Sequence, residues 1–433
     1  MRRPILGTAA VAAVAASAAV AVAVNGNVTE PVGAAQQAGG RQNALMGAFF
    51  SNPDGPPAER NRLVQHLLDL IGGAAVGSEI RVSAYQLRTN EVPDALLAAA
   101  HRGVKVKVVA DSLNNTTPEE GGYESFRLLA KTLGKDKSKP SWLMTCTEGK
   151  ACIGTAGTPF NHNKFFLFSE TSGLRDVVVQ STANQATTVG GLAGWNSTYA
   201  VAGNTGLYAE YGGYFNDLAA MKKSNDYYNV RTPKAHGNIK TYFHPRATGD
   251  TVVNYLNYVK CFGSTQGGTS DNHRTIIRIS MWSINRPAVA KKLWELDSQG
   301  CYVDIVADSI EDTSRAELLK PAGGYHGPEI RLFTKAGKGV HEKNMLIDGV
   351  YNGAINQKIV FTGTHNMNPS SLRQNDETTL KITDAGLHDQ FRQNFRDVRT
   401  KADCELQTST LKADPKIKRC EEEKPSAAED EEA

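Results

Sequence analysis

Hydrophobic and polar positions alternate in two stretches of this chain that resemble each other. Residues 80–112 read IRVSAYQLRTNEVPDALLAAAHRGVKVKVVADS, and residues 277–309 read IRISMWSINRPAVAKKLWELDSQGCYVDIVADS. They align without a gap at an offset of 197, so that Ile80 matches Ile277, Gly103 matches Gly300 and Asp111 matches Asp308. Each opens on alternating Ile and Val, the period-two signature of a strand. Each then runs through an Ala/Leu-rich helical stretch, stops at a Gly and enters a second Val-rich strand. The pattern predicts one β-α-β unit in each half of the chain, with parallel strands covered by helices.

The duplication resumes at an offset of 179, where Asn161-His162-Asn163-Lys164 matches Val340-His341-Glu342-Lys343 with His162 on His341. The shorter offset means that the first half carries the longer insert, and Cys146 and Cys152 lie within it. Each copy then shows another apolar strand, Val177-Val178-Val179-Gln180 and Lys358-Ile359-Val360-Phe361. Both strands end in a small polar turn with Asn, Ser181-Thr182-Ala183-Asn184 and Gly363-Thr364-His365-Asn366. The expected organisation is therefore a first half over 36–221, a polar connector over 222–250 and a second half over 251–405.

The two ends differ from the body. Residues 1–35 open on Arg2-Arg3, continue in an Ala/Val run and pass into a polar stretch, which is the layout of a cleavable export signal and its linker. A membrane anchor is the competing reading of that run. Residues 406–433 read as a tail, disordered and acidic over 421–433. The formal net charge is +3. The last thirteen residues contribute −6, which leaves +9 for the rest and suits an anionic substrate. The 40% hydrophobic and 21% charged composition excludes a disordered, collagen-like or multi-span membrane chain.

Six cysteines in an exported chain point to disulfides. Sequence does not select their connectivity; chain proximity favours 146–152, 261–301 and 404–420. A zinc site is the competing reading, without a CxxC pair or Cys/His cluster to support it.

The candidate chemistry lies in the two His-x-Lys pairs. Positions i and i+2 of a strand face one side, so His162 projects with Lys164, and His341 with Lys343. Asn184 and Asn366 can add neutral donors from the neighbouring strand ends. If the halves pack about a pseudo-twofold axis, these side chains converge on one pocket shaped for an anion with several oxygens. A neutral His can attack phosphorus and form a phosphohistidine. A protonated His can donate to the leaving oxygen and then activate water. Lys and Asn stabilise the transition-state charge, so the arrangement asks for neither metal nor cofactor.

These residues resemble the phospholipase D superfamily, whose signature is HxKxxxxD followed by GSxN, present twice per active site. The second copy has His341, Lys343 and Asp348 at that spacing, then Gly363-Thr364-His365-Asn366 with Thr for Ser. In the first copy Ser169 holds the Asp position, and Ser181-Thr182-Ala183-Asn184 stands for GSxN. The resemblance implies an α/β fold of two pseudo-symmetric phospholipase D-like halves, each a mixed β-sheet flanked by helices, with the active site at their interface. It implies His162 as nucleophile, His341 as acid and a structural role for Asp348. It also implies a carboxylate beyond GSxN that orients the His of its own half, which makes Glu377 the partner of His341. The matching Trp195-Asn196-Ser197-Thr198 holds no acid and leaves His162 without an identified partner.

The activity implied is that of a secreted, monomeric phospholipase D, cleaving phospholipids such as phosphatidylcholine at a membrane surface. A secreted nuclease acting on nucleic acid, and a weakly active protein that binds anionic lipid, are the alternatives. Tyr85 and Trp282 read as core aromatics, Asp111 and Asp308 as turn or cap residues. His365 lines the pocket or packs. The remaining histidines, among them His66, His244 and His388, read as ordinary surface or partly buried groups.

Overall fold

The structure, a computed structural model, describes residues 44–115, 123–321, 327–406 and 419–420. The N-terminal run expected to be an export signal and the acidic run 421–433 lie outside the described residues. No helix among the described residues is long and apolar enough to cross a membrane.

Both copies of the repeat fold as their pattern predicts. In the first half the strands are β1 (Gly47–Phe50), β2 (Glu79–Ala84), β3 (Lys105–Ala110), β4 (Trp142–Thr145), β5 (Lys164–Thr171), β6 (Leu174–Ser181), β7 (Gly194–Trp195) and β8 (Ser197–Val201). All but β7 form one sheet in the order β1-β8-β6-β5-β2-β3-β4. Strand β2 runs parallel to β3 and antiparallel to β5, which sets Ile80 opposite Val106 on one side and Phe168 on the other.

The chain continues through β9 (Lys234–His236), β10 (Ile239–His244), β11 (Val259–Lys260), β12 (Ile276–Ile284), β13 (Tyr302–Ile310), β14 (Glu329–Leu332) and β15 (Gly339–Val340). It ends with β16 (Lys343–Tyr351), β17 (Ala354–Gly363), β18 (Glu377–Thr383) and β19 (Cys404–Glu405). Here β12 is parallel to β13 and antiparallel to β16, with Ile277 opposite Val303 and Ile347. That is the register of the first half, moved by the two sequence offsets. The second sheet runs β19-β14-β13-β12-β16-β17-β18-β10-β9, with β11 added beside β16.

The crossover helices Glu91–His101 and Pro287–Ser298 end at Gly103 and Gly300. Both glycines adopt positive φ, 94° and 102°, a backbone state that a Cβ would strain. Residues 222–250 do more than connect. Strand β10 pairs with β18 along its length, so Ile239 and Phe243 enter the core. The alternation in Ile239–His244 carries that strand, although turn-forming residues surround it.

The described residues form one compact unit, and one apolar cluster spans both halves. Phe165, Leu167 and Val178 of the first sheet meet Leu346, Val360 and Leu380 of the second in it, with Tyr211, Tyr214 and Phe215 from the helix Thr205–Ala219. Each of these aromatics is essentially fully buried and contributes roughly 2–3 kcal/mol of burial. Disulfides join Cys146 to Cys152, Cys261 to Cys301 and Cys404 to Cys420, the pairs that chain proximity favours.

Candidate active site

The two halves meet through main-chain bonds placed symmetrically about the histidines. In one, β15 pairs in parallel with β7, and His341 N–H donates to the Trp195 carbonyl at 2.9 Å. In the other, Asn161 bridges to Asp376, and His162 N–H donates to the Asp376 carbonyl at 3.0 Å. Each histidine thus lies two residues before a strand of its own half while its backbone is held by the other half.

The next residue after each of those carbonyls supplies the imidazole's partner. His162 Nδ1 lies 2.9 and 3.0 Å from the two carboxylate oxygens of Glu377. His341 Nδ1 lies 3.0 Å from Asn196 Oδ1. This corrects the expectation that Glu377 serves His341. The orienting residues are exchanged between the halves, because each sits at the start of a strand that approaches the opposite histidine. His162 therefore has a carboxylate partner and His341 an amide. A hydroxyl fixes each acceptor in turn: Ser371 Oγ donates to Glu377 Oε1 at 2.6 Å, and Thr182 Oγ1 donates to Asn196 Oδ1 at 2.9 Å. Sequence reasoning missed Asn196, Thr182 and Ser371. The signal was present in the repeat, since Asn196 stands where the second copy has Glu377.

Lys164 and Lys343 lie beside their histidines, with Nζ donating to the carbonyls of His162 and His341 at 2.8 and 2.9 Å. His341 is fully buried, and burial pushes its pKa well below the usual 6.5. Lys343, Lys164 and His162 all lie near enough to push it further the same way. The two His-x-Lys pairs therefore share one electrostatic neighbourhood. Asn184 and Asn366 are both buried at the strand-end turns; Asn184 Oδ1 accepts no hydrogen bond among the described residues.

Asp348 stands apart from this group. It accepts from Lys358 Nζ at 2.8 Å and from Gly268 N–H at 3.0 Å. Those bonds outweigh the effect of burial and hold its carboxyl below the usual range. Ser169, at the matching position, accepts from Glu79 N–H at 2.8 Å.

Tyr85 and Trp282 are buried, but they are more than core aromatics. Tyr85 lies edge-on to His162 with ring centroids 5.1 Å apart, and Trp282 edge-on to His341 at 5.3 Å. A cavity of about 390 Å³ is lined by Tyr85 and Phe160, both of which lie edge-on to His162, and by Asp111, Ser112, Glu148 and Lys150 among others. Asp111 caps a short turn by accepting from Leu113 N–H at 2.9 Å, and also accepts from Asn161 N–H at 2.8 Å. Burial raises its pKa to about 6 against those two bonds.

His365 packs on His244 with centroids 4.2 Å apart. His66, His244 and His388 are all buried, which corrects their reading as surface or partly buried groups. One compact set of metal-ligand types exists among the described residues, Cys146, Cys152 and Asp376. Its two sulfurs are joined to each other and so are not thiolate ligands.

Two repeated α/β halves with a paired His-x-Lys between them define a two-half phosphodiesterase fold. A family model described as cardiolipin synthase, PLD-like domain, matches residues 67–198 and again residues 271–399. Those segments make up more than half of the chain, and the chain belongs to this phospholipase D-like family, whose enzymes act on phosphodiester bonds. No curated protein matches it in sequence.

Among solved structures, phosphatidylserine synthase from Haemophilus influenzae is similar at 13% identity with a TM-score of 0.53, over 84% of this chain and 90% of that one. Polyphosphate kinase from Porphyromonas gingivalis is similar at 15% identity with a TM-score of 0.52, over 86% of this chain. This chain spans 53% of that kinase's length. Nuc from Salmonella typhimurium, a phospholipase D family member, aligns with 39% of this chain and 96% of its own at 18% identity, with a TM-score of 0.28. At these identities the likeness to the synthase and the kinase concerns the fold alone.

Proposed function

We propose that the chain is an exported phosphodiesterase that hydrolyses phospholipids such as phosphatidylcholine through a phosphohistidine on His162. The observation that carries this reading is the pair of imidazoles, each with Nδ1 tied to an acceptor from the opposite half. With Nδ1 oriented in this way, Nε2 is the nitrogen assigned to meet phosphorus in each ring. His162 Nε2 attacks, the P–N bond forms, and the bond from phosphorus to the headgroup oxygen breaks. His341, protonated, gives its proton to that oxygen. Water then attacks phosphorus, His341 takes the water's proton, the P–N bond breaks, and phosphatidic acid leaves.

Lys164, Lys343, Asn184 and Asn366 stabilise the non-bridging oxygens. The carboxylate partner favours His162 as nucleophile, because Glu377 compensates the positive charge that grows on the ring. The family model's description supports a lipid substrate. The disulfides and the leader-like N-terminus support export.

The test uses phosphatidylcholine vesicles, plasmid DNA and bis(p-nitrophenyl) phosphate, each with and without chelator. The wild type is expected to release choline, and chelator to leave the rate unchanged. His162→Ala and His341→Ala are each expected to stop turnover. On the nitrophenyl ester, whose leaving group departs without a proton, His341→Ala keeps a burst of about one equivalent and His162→Ala shows none. Turnover retained in either variant overturns the role assignment. Faster cleavage of DNA with steep salt dependence favours a nuclease. Vesicle binding without turnover leaves a lipid-binding protein.

A further inference from the structure

We propose that Asp376 is a positioning residue for His162, through which the disulfide-closed loop Cys146–Cys152 sets the geometry of the nucleophile. The inference rests on the role proposed above for His162. Asp376 is fully buried, and both ends of it touch the His162 site. Its carbonyl accepts from His162 N–H at 3.0 Å, and its own N–H donates to the Phe160 carbonyl at 3.1 Å. The residue that follows it, Glu377, holds His162 Nδ1. A rotation at Asp376 would therefore move the backbone of His162 and the acceptor of its ring together.

The side chain of Asp376 is fixed by the insert of the first half. Its oxygens accept from Ile153 N–H at 2.9 Å and Gly154 N–H at 2.8 Å, and Cys152 N–H adds a third bond. Burial raises this carboxyl to about 7 in spite of the three donors. Gly154 is required there, since a Cβ would lie 1.8 Å from the Gln374 carbonyl oxygen. The loop is tied from the other side as well: Lys223 Nζ donates to the Ala151 carbonyl at 2.9 Å, and Ser224 N–H to the Ile153 carbonyl at 3.0 Å.

The same ring presents Glu148, Gly149 and Lys150 to the cavity that Tyr85 and Phe160 line. The loop thus forms a cavity wall and is anchored on the residue next to the imidazole's partner. Among the described residues the other half shows no such device, because Trp195 stands where Asp376 does and packs into the apolar core. The coupling acts on the nucleophile alone.

The test compares the full chain, Asp376→Asn, Cys146→Ser/Cys152→Ser and the three changes combined, on bis(p-nitrophenyl) phosphate. Asparagine keeps the shape but turns a donor toward main-chain N–H groups. A displacement of the nucleophile by a fraction of an ångström lowers the chemical step with little effect on binding. Asp376→Asn and the double Cys variant are each expected to lower kcat and the burst rate by about tenfold to a hundredfold, with KM within about threefold. The combined variant is expected to be no slower than the slower of the two, because both act along one path.

Unchanged kcat in Asp376→Asn, or losses that multiply in the combined variant, overturns the proposal. Should Asp376→Asn fail to fold, the Cys variant decides alone on the same kcat and KM readouts. His162→Ala is the reference. If the wild type shows no turnover that depends on His162, the proposed function fails first and this inference with it.

Discussion

An amide and a carboxylate do different things to an imidazole. Glu377 sets a carboxylate against the Nδ1 of His162, whereas Asn196 sets a neutral amide oxygen against the Nδ1 of His341. Burial, Lys343 and Lys164 already hold His341 well below its ordinary pKa, and an anionic substrate offsets the lysines' share of that shift. Asn196→Asp places an anion at the ring, and an anion stabilises the imidazolium, so the pKa rises. The high-pH limb of kcat/KM, which reports the acid of the free enzyme, is expected to move up by about a unit or more. An unmoved limb means that His341 is not the acid. The substitution also replaces the Nδ2–H bond to the Gly191 carbonyl, 3.1 Å, with two facing oxygens, a cost of about 1–3 kcal/mol readable as a lower melting temperature. At this scale the sequence shows which residues matter but not whom they serve. Matching Glu377 to the histidine of its own repeat is the natural inference along a chain. The exchange is a property of how two strand ends approach across an interface, and the offsets of a repeat do not encode that.

Strand β16 separates catalysis from stability along its own length. Lys343 begins it, with Nζ on the His341 carbonyl. Asp348 lies five residues further, about 17 Å along an extended strand, and ties β16 to Lys358 of β17 and to Gly268. Lys343→Ala is expected to lower kcat by about a hundredfold or more, as loss of a charge stabiliser does, with little change in melting temperature. Asp348→Ala is expected to cost roughly 1–2 kcal/mol of stability and leave kcat nearly unchanged. Activity and thermal melts on the two variants check the ranking, and the reverse ranking would mean that the pocket has been misplaced. Ser169 supplies a neutral version of the same tie in the first half, which explains how a copy without the Asp keeps its strand. The elements themselves were largely legible, since a repeated two-residue period followed by a helical stretch has few other meanings. Strand β10 was not, because its apolar alternation is short and turn-forming, charged residues flank it; only pairing with β18 makes it a strand.

Across the whole molecule, buried groups pull the pH dependence of stability in opposite directions. His66 and His388 have pKa values lowered to about 4 by burial, and burial also holds His244, His341 and His365 well below the ordinary 6.5. The unfolded chain binds protons at these sites from about pH 6.5 downward while the fold does not, so each loses stability as pH falls. Asp111, Asp297 and Asp304 rise to about 6 and Asp376 to about 7, all chiefly by burial. The fold keeps those protons where the unfolded chain has released them, so each of these loses stability as pH rises from about 4 to its folded value. The two sets oppose each other between about pH 4 and 6.5. Removing one member exposes the other set. Asp297 is the clean choice, since it lies in the helix Pro287–Ser298, far in sequence from the paired histidines. It accepts from Val303 N–H and Gly327 N–H, bonds that an asparagine oxygen can keep, and faces the charges of Arg274 and Glu329. Its pKa is raised, so its burden is absent below about pH 4 and complete above about pH 6. Asp297→Asn is therefore expected to stabilise the protein at pH 7.5 by up to roughly 2 kcal/mol and to leave it unchanged near pH 4. Melting curves of both proteins at the two pH values test this, and a stabilisation that is the same at both would show that the carboxylate's charge is not its cause.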